Sequence, residues 1–257
     1  MALRAIGRFA WHELHTTDPA RARKFYGELA GWEIRDVPMG PGESYGLCLV
    51  GGKDLAGITK SMVPAHVPSH WLPYVAVDDV DAAATTATGL GGKVIQPATD
   101  IPEVGRLAVV ADPQGATFAL YKHPRPQEEA ATAAAVGSFC WDELLTSDPD
   151  AAVTFYRGLF GYDHETKDGG AMGTYHILRR GQGQGSGIGG IVKMPPTVLH
   201  PYWLAYIYVE DVDASAAKGK ELGGQIDAPP ETIQGAGRFS ILGDPSGAAI
   251  GLYRETR

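Results

Sequence analysis

The stretch Trp11–Pro19, with the sequence WHELHTTDP, returns 130 positions later (141 minus 11) as Trp141–Pro149, with the sequence WDELLTSDP. In each copy Trp, Glu and then His or Leu stand at every second position, which predicts a strand that turns these side chains to one face. The following Asp-Pro predicts the start of a helix, with Asp as the N-cap and Pro as the first helical residue. Each copy is therefore expected to be a strand that leads directly into a helix.

The repeat extends over nearly the whole chain, in order and in spacing. The segments that recur are Phe25-Tyr26 with Phe155-Tyr156, Trp71–Tyr74 with Trp203–Tyr206, and Asp112–Gly115 with Asp244–Gly247. Within each half, the pattern of a strand, a helix and three strands occurs twice. We predict an α+β fold with two homologous domains, 1–123 and 137–257, each made of two βαβββ units and joined by a linker at 124–136.

The first helix is predicted to have one apolar face. Its apolar residues recur at helical spacing, and they are Ala22, Phe25, Tyr26 and Leu29. Gly31 follows and is expected to end the helix in the left-handed conformation. A second helix is predicted at Val80–Leu90, with Asp79 as its cap.

Composition excludes several classes of function. The net charge is −8 and no basic stripe occurs, which argues against a nucleic-acid partner. No apolar run reaches the roughly 20 residues that a membrane span requires. Cys48 and Cys140 are the only cysteines, too few for a disulfide framework and typical of free thiols in a reducing cytoplasm. We expect a cytoplasmic protein that acts as a monomer or homodimer.

These motifs resemble the vicinal oxygen chelate superfamily, which includes glyoxalase I, bleomycin-resistance proteins and extradiol dioxygenases. The resemblance rests on the strand with its Asp-Pro helix start, on Val77–Asp81 and Val209–Asp213, and on Gly-Arg before Asp-Pro-x-Gly. It implies that the paired units curve their sheets into cups that hold a ligand. A fold does not supply the chemistry, so the site residues need their own argument.

The resemblance also implies metal ligands on particular strands. The corresponding residues are Trp11, Leu72 and Ala119 in the first half and Trp141, Leu204 and Gly251 in the second, with a fourth position near Ile58 and Ile191. None of these side chains offers the imidazole, carboxylate or thiolate that a divalent cation needs. We therefore expect neither a metal nor another cofactor. A displaced metal site at Glu13 and His15 stays open as an alternative, in the first half only, because Leu145 replaces His15.

Glu13 and its counterpart Glu143 stand on the face that the resemblance turns into each cup. A buried carboxylate without a partner is costly, so each is expected to bond to a tyrosine, such as Tyr74 or Tyr206, or to a ligand. Two interpretations remain open. The two carboxylates are structural hydrogen-bond acceptors, or they contact the ligand and act as general bases.

The remaining cup-facing positions are rich in aromatic residues. Alternation selects as ligand-binding candidates Trp11, His15, Leu72, Tyr74, Tyr121, Trp141, Leu204, Tyr206, Tyr208 and Tyr253. Such a lining is typical of pockets for flat organic molecules. Residues 185–190 (GSGIGG) have dinucleotide-type glycine spacing, but no helix follows, so we predict a flexible loop beside the cup.

Three hypotheses follow for function. The first is a metal-independent, bleomycin-resistance-like protein that binds a small aromatic or polyketide-like metabolite. The second is an enzyme of the lyase, cyclase, hydroxylase or glyoxalase type, with Glu13 or Glu143 as the acid–base residue. The third is a surface or interaction protein with filled cups.

Overall fold

The computed structural model describes residues 6–40, 42–62, 67–125, 134–181 and 186–256. In the first half the elements are β1 (Phe9–Thr16), α1 (Pro19–Ala30), β2 (Glu33–Gly40), β3 (Glu43–Val50), β4 (Lys53–Lys60), β5 (His70–Ala76), α2 (Val80–Gly89), β6 (Lys93–Ile101), β7 (Gly105–Ala111) and β8 (Thr117–Lys122). In the second half they are β9 (Phe139–Thr146), α3 (Pro149–Phe160), β10 (Asp163–Asp168), β11 (Thr174–Arg179), β12 (Gly187–Lys193), β13 (Tyr202–Tyr208), α4 (Val212–Glu221), β14 (Gln225–Ile233), β15 (Gly237–Gly243) and β16 (Ala249–Arg254). A short 3₁₀ turn at Gly170–Met172 precedes β11.

The predicted α+β fold of two tandem domains is confirmed. The first half forms a sheet in the order β2-β3-β4-β1-β5-β8-β7-β6, and the second a sheet in the order β10-β11-β12-β9-β13-β16-β15-β14. Both halves contain two βαβββ units, as the repeat predicted. Residues 126–133 of the predicted linker lie outside the described ranges, and the domain boundaries at 123 and 137 stay predictions.

The helix starts follow the predicted chemistry. The side chain of Asp18 accepts the backbone N–H of Arg21 at 3.0 Å, and Pro19 opens α1. Gly31 ends α1 with a φ of 69°, a left-handed conformation that glycine adopts without strain. The buried face of α1 consists of the four residues predicted for it, Ala22, Phe25, Tyr26 and Leu29.

By compactness the chain divides into two units, each with its own core. The described parts of Met1–Ala10, Pro73–Ala131 and Trp141–Trp203 form one unit, in which α2 packs against α3. The described parts of Trp11–Leu72, Thr132–Cys140 and Leu204–Arg257 form the other, in which α1 packs against α4. The sequence left open how the βαβββ units pair. Each core combines one βαβββ unit from each half.

A buried hydrogen-bond chain anchors each core. Trp71 donates to the hydroxyl of Tyr26 at 2.9 Å, and that hydroxyl donates to Asp244 at 3.2 Å. Trp203, Tyr156 and Asp112 repeat the chain in the other unit, at 2.9 and 3.1 Å. Burial raises the pKa of Asp112 and of Asp244. Since Trp71 and Trp203 point into the cores, the residues that alternate with them lie on the opposite face of their strands.

Within the described part of the chain, each helix is too short or too polar to cross a membrane.

Candidate functional site

The face of β1 that points away from the core carries the candidate residues. Leu14 is fully buried in the core, whereas Trp11, Glu13 and His15 alternate with it on the opposite face and are partly exposed. Ile58 of β4 lies beside Leu14 in the parallel register and is equally buried, so it belongs to the core face. Ile191 is buried beside Leu144 in the same way. Ile58 and Ile191 themselves therefore lie on the core face, and the fourth ligand position that the resemblance implies near them stays a prediction. On the face of the two carboxylates, β4 and β12 present Gly57 and Gly190, which lie opposite Glu13 and Glu143.

Three side chains on this face form a directed hydrogen-bond chain, here called the first triad (Trp11, Tyr45 and Glu13). Nε1 of Trp11 donates to the hydroxyl of Tyr45 at 3.1 Å. That hydroxyl donates to Oε2 of Glu13 at 2.9 Å. The direction is fixed, because an indole nitrogen only donates and the single hydroxyl proton must then point to Glu13. The triad therefore holds one oxygen of Glu13 as an acceptor.

The second half repeats this chain as the second triad (Trp141, Tyr175 and Glu143). Nε1 of Trp141 donates to the hydroxyl of Tyr175 at 2.9 Å. The hydroxyl of Tyr175 donates to Oε2 of Glu143 at 2.8 Å. The two triads therefore agree in composition, direction and length.

Glycine makes room for each tyrosine hydroxyl. A Cβ atom at Gly57 would lie 1.7 Å from the hydroxyl oxygen of Tyr45, and one at Gly190 would lie 1.9 Å from that of Tyr175. Gly190 belongs to β12, so the prediction of a flexible loop over residues 185–190 is wrong from Gly187 onward, and Gly185 lies outside the described residues. These glycines serve a close approach of side chains and not a turn.

Sequence reasoning missed the two tyrosines. The sequence suggests Tyr74 and Tyr206 as partners of the carboxylates, and those pairings stay predictions. A signal was nevertheless present, because Tyr175 follows Tyr45 by the same 130 positions (175 minus 45) that separate the two tryptophans.

The first triad has polar neighbours. Nε2 of His15 is buried and lies 3.1 Å from Oε1 of Glu13, without the alignment of a hydrogen bond. The ring of His70 stacks on that of His15, with 5.4 Å between centroids and 16° between planes. Nδ1 of His70 donates to the carbonyl of Pro68 at 2.9 Å. Burial lowers the pKa of His70, the Pro68 hydrogen bond opposes this shift, and the charge of His15 adds to it. Thr59 of β4 lies opposite His15.

The second triad has apolar or aromatic residues at the same places. Leu145 replaces His15 and is 5% exposed. Val192, opposite Leu145 on β12, replaces Thr59 and is 1% exposed. Tyr202 stands in the repeat where His70 stands, one residue before the tryptophan. The two imidazoles are thus a property of the first half.

The other predicted ligand residues form separate groups. Tyr74 and Tyr121 meet edge to face at 5.9 Å, and Tyr121 donates its hydroxyl proton to the carbonyl of Val104 at 2.7 Å. The ring centroids of Tyr208 and Tyr253 lie 6.3 Å apart, and the hydroxyl of Tyr253 donates to the carbonyl of Ala236 at 2.8 Å. Burial raises the pKa of Tyr121, and it raises that of Tyr253 to about 12. Both of these hydroxyl protons are therefore already in use.

The remaining candidates are Leu72, Leu204 and Tyr206. Leu72 and Leu204 are buried, at 4% and 0% exposed. The ring of Tyr206 lies over Gly251, where an added Cβ would approach it to 2.2 Å. Gly251 therefore gives Tyr206 its space, and a larger residue there would displace the ring.

The residues at the family's metal positions do not fit a metal. The indole nitrogen of Trp11 has no lone pair in the ring plane and gives its hydrogen to Tyr45, and Trp141 does the same with Tyr175. Leu72, Ala119 and Leu204 offer only alkyl groups. Among the described residues, no three His, Cys, Asp or Glu side chains are grouped so that they could hold a metal ion.

Family models match both halves of the chain. Residues 11–121 match the glyoxalase-like domain, and residues 139–252 match the glyoxalase/bleomycin resistance protein/dioxygenase superfamily. Among curated relatives, the glyoxylase-type protein CFP32 of Mycobacterium tuberculosis is 36% identical over 247 residues, covering 95% of this chain and 93% of the relative. The anthracycline biosynthesis protein DnrV of Streptomyces peucetius is 31% identical over 263 residues, covering 96% of this chain and 93% of the relative.

Solved structures share the fold. The Mn(II)-bound glyoxalase from Novosphingobium aromaticivorans superimposes with a TM-score of 0.68 at 16% identity, over 99% of this chain and 84% of that chain. An extradiol ring-cleaving dioxygenase from B. fuscum gives a TM-score of 0.68 at 16% identity, over 100% of this chain and 74% of that chain. Identity this low shows likeness of fold alone, and both halves are glyoxalase-like domains in that sense.

Proposed function

Since the chain belongs to the glyoxalase/bleomycin resistance protein/dioxygenase superfamily, we propose that it binds a small, flat, hydroxylated aromatic metabolite without a metal. The site of binding is the exposed face of the triads. A polyketide-like ring stacks on the indole of Trp11 or Trp141, and a ring hydroxyl donates to the carboxylate of Glu13 or Glu143.

The observation that carries this proposal is the replacement of a metal ligand by an indole tied to a carboxylate. In each half, the side chain at the first metal position is a tryptophan that is bonded through a tyrosine to a glutamate. A ring face beside an acceptor matches an amphipathic aromatic ligand, because stacking supplies affinity and the hydrogen bond fixes orientation. The side chain of Glu13 is 16% exposed, so it can be reached from solvent.

The relatives support the same ligand class. DnrV is named for anthracycline biosynthesis, and DauV of a Streptomyces species, 30% identical over 266 residues, carries the same description. Anthracyclines are polycyclic quinones with ring hydroxyl groups, which is the chemistry that an indole and a carboxylate recognise together. We propose that the chain sequesters such a compound, in the manner of a resistance protein.

Quenching of tryptophan fluorescence tests this proposal. Protein treated with a chelator is titrated with 1,2-dihydroxyanthraquinone and with anthraquinone, which has the same rings without hydroxyl groups. We expect a dissociation constant of about 1–10 micromolar for the first and about tenfold weaker binding for the second, since one charge-assisted hydrogen bond is lost. Glu13→Gln and Glu143→Gln are each expected to remove this preference from one half. Equal affinity for both compounds, or no quenching, would contradict the proposal.

A second candidate function is catalysis in the first half. The contact of 3.1 Å between Glu13 and His15 favours it, because a carboxylate beside an imidazole is an arrangement used for proton transfer. Under this candidate, Glu13→Gln abolishes conversion of a bound substrate while leaving its affinity within about tenfold. Equal loss of binding and of conversion would reduce Glu13 to a binding residue.

A further inference from the structure

We infer that the two halves bind the same ligand in different protonation states: the first half takes the hydroxyaromatic compound as its anion, with His15 as the proton acceptor, and the second half takes it neutral. This inference rests on the proposed function and adds to it the chemical class of the ligand, which is a ring compound with an acidic hydroxyl group. This acidic hydroxyl is a second one, next to the ring hydroxyl that donates to Glu13. Its O–H bond breaks, the electron pair stays on the ligand oxygen, and the proton forms a bond to His15.

His15 is oriented with one ring nitrogen toward the carboxylate of Glu13 and the other away from it. Its Nε2 faces Oε1 of Glu13 at 3.1 Å, so its Nδ1 is the nitrogen turned away from the carboxylate. The side chain is 20% exposed, which leaves it within reach of a ligand. Under this inference the ligand proton binds at Nδ1, and the imidazolium then lies beside the carboxylate of Glu13, with 3.1 Å between Nε2 and Oε1.

Tyr45 and His70 hold Glu13 and His15 in place. Tyr45 donates to the other oxygen of Glu13 at 2.9 Å, which fixes the carboxylate as an acceptor. His70 stacks on His15 and donates from Nδ1 to Pro68. Because burial lowers the pKa of His70, this neighbour stays neutral and does not oppose a positive charge on His15. Tyr45 and His70 are therefore positioning residues, and His15 is the one that contacts the ligand.

The second half keeps the triad and lacks a base at the position of His15. Leu145 stands at the place of His15, and Val192 at the place of Thr59. Both are buried alkyl groups, at 5% and 1% exposed. A ligand anion would gain no partner from them, and alkyl surroundings favour the neutral form of the ring. The two halves thus share one recognition motif, with a base beside it in the first half and alkyl groups in the second.

The colour of a bound hydroxyanthraquinone tests this inference. The absorption of 1,2-dihydroxyanthraquinone moves to longer wavelength when a phenol ionises, so its spectrum reports the protonation state directly. At a pH where the free dye is neutral, we expect the wild-type protein to convert one equivalent of dye to the long-wavelength form. Dye bound at the second half is expected to keep the spectrum of the neutral form.

Exchanging residues between the halves makes the test specific. His15→Leu copies the second half and is expected to abolish the long-wavelength form, with about tenfold weaker binding at the first half. Leu145→His copies the first half and is expected to add a second equivalent of that form. His15→Asn keeps a polar side chain without a base and should also abolish it, which preserves the test if the leucine variant does not fold. His200→Leu, an exposed histidine outside both triads, is the matched control and should leave the spectrum unchanged.

The outcomes separate the two proposals. Binding of the dye without any long-wavelength form, or persistence of that form in His15→Leu and His15→Asn, overturns the inference and leaves the proposed function standing. Absence of dye binding to the folded wild-type protein overturns the proposed function and the inference with it.

Discussion

The two triads are alike in their bonds and unlike in their neighbours. Trp11, Tyr45 and Glu13 form the same chain as Trp141, Tyr175 and Glu143, with distances of 2.8–3.1 Å in both halves. Around the first chain stand His15, Thr59 and His70, and at the same places of the second stand Leu145, Val192 and Tyr202. The same hydrogen-bond chain thus has polar neighbours in the first half and apolar or aromatic residues at the corresponding positions of the second.

The shared part and the differing part teach different things. A partly buried carboxylate needs a hydrogen-bond partner in any copy, so the triad alone is explained by the need to satisfy Glu13 and Glu143. That need does not call for an imidazole, as the second half demonstrates with Leu145. The hydrogen-bonding of the carboxylates therefore does not explain the residues that differ, and under our proposal they place proton transfer in the first half.

The largest effect is expected from filling the glycine positions. Gly57→Ala and Gly190→Ala put a methyl group into the tyrosine hydroxyl, and we expect each to lower the free energy of unfolding by about 1–3 kcal/mol and to break its triad. Urea unfolding measures the loss. Gly89→Ala is the control, because a Cβ at Gly89 meets open space in a helix and should be neutral or stabilising by about 0.5–1 kcal/mol. Unchanged stability in both strand variants would contradict the close approach of Tyr45 and Tyr175.

A smaller and symmetrical effect is expected at the tryptophans. Trp11→Phe and Trp141→Phe keep a ring and remove the Nε1 donor, so each should cost about 0.5–1.5 kcal/mol of unfolding free energy. The same urea titrations show whether the two losses agree. A loss confined to one half would mean that the triads are not equivalent in their bonding, against the comparison drawn above.

The smallest effect concerns pH and the histidine that stacks on His15. The pKa of His70 in the folded state lies below its ordinary value of 6.5, chiefly because of burial. As the pH falls below about 6.5 the unfolded chain takes up this proton first, so the folded protein loses stability toward acid. His70→Gln is expected to reduce that loss in thermal unfolding measured from pH 7 to pH 5. Tyr202 offers no such group, and His176, whose pKa burial also lowers, retains its own acid-dependent loss. If the stability of His70→Gln falls toward acid as steeply as that of the wild type, proton uptake by His70 is not the cause of that loss.

Local pattern was sufficient to predict the framework of the fold. The period of α1, its cap at Asp18 and its end at Gly31 follow from neighbouring residues, and the structure confirms all three. The common face of Trp11, Glu13 and His15 was predictable for the same reason, since side chains along a strand alternate.

The partners of Glu13 and Glu143 were not predictable in this way. Tyr45 reaches Glu13 from β3 across the glycine of β4, and that contact depends on the register of three strands. Register also places Ile58 on the core face and its neighbour Gly57 on the face of Glu13, because a shift of one residue moves a side chain to the other face of the sheet. The glycines of β12 were misread as loop residues, since sequence alone does not distinguish a glycine needed for a turn from one needed for space.

The account stands on organic ligand binding without a metal, and one measurement tests this most directly. The metal content of the purified protein is determined by elemental analysis, and the affinity for 1,2-dihydroxyanthraquinone is measured before and after exhaustive treatment with a chelator. We predict a metal content far below one ion per chain and an affinity that chelation leaves unchanged. A stoichiometric Mn, Fe, Ni or Zn ion, with binding lost on chelation and restored by that metal, would contradict it.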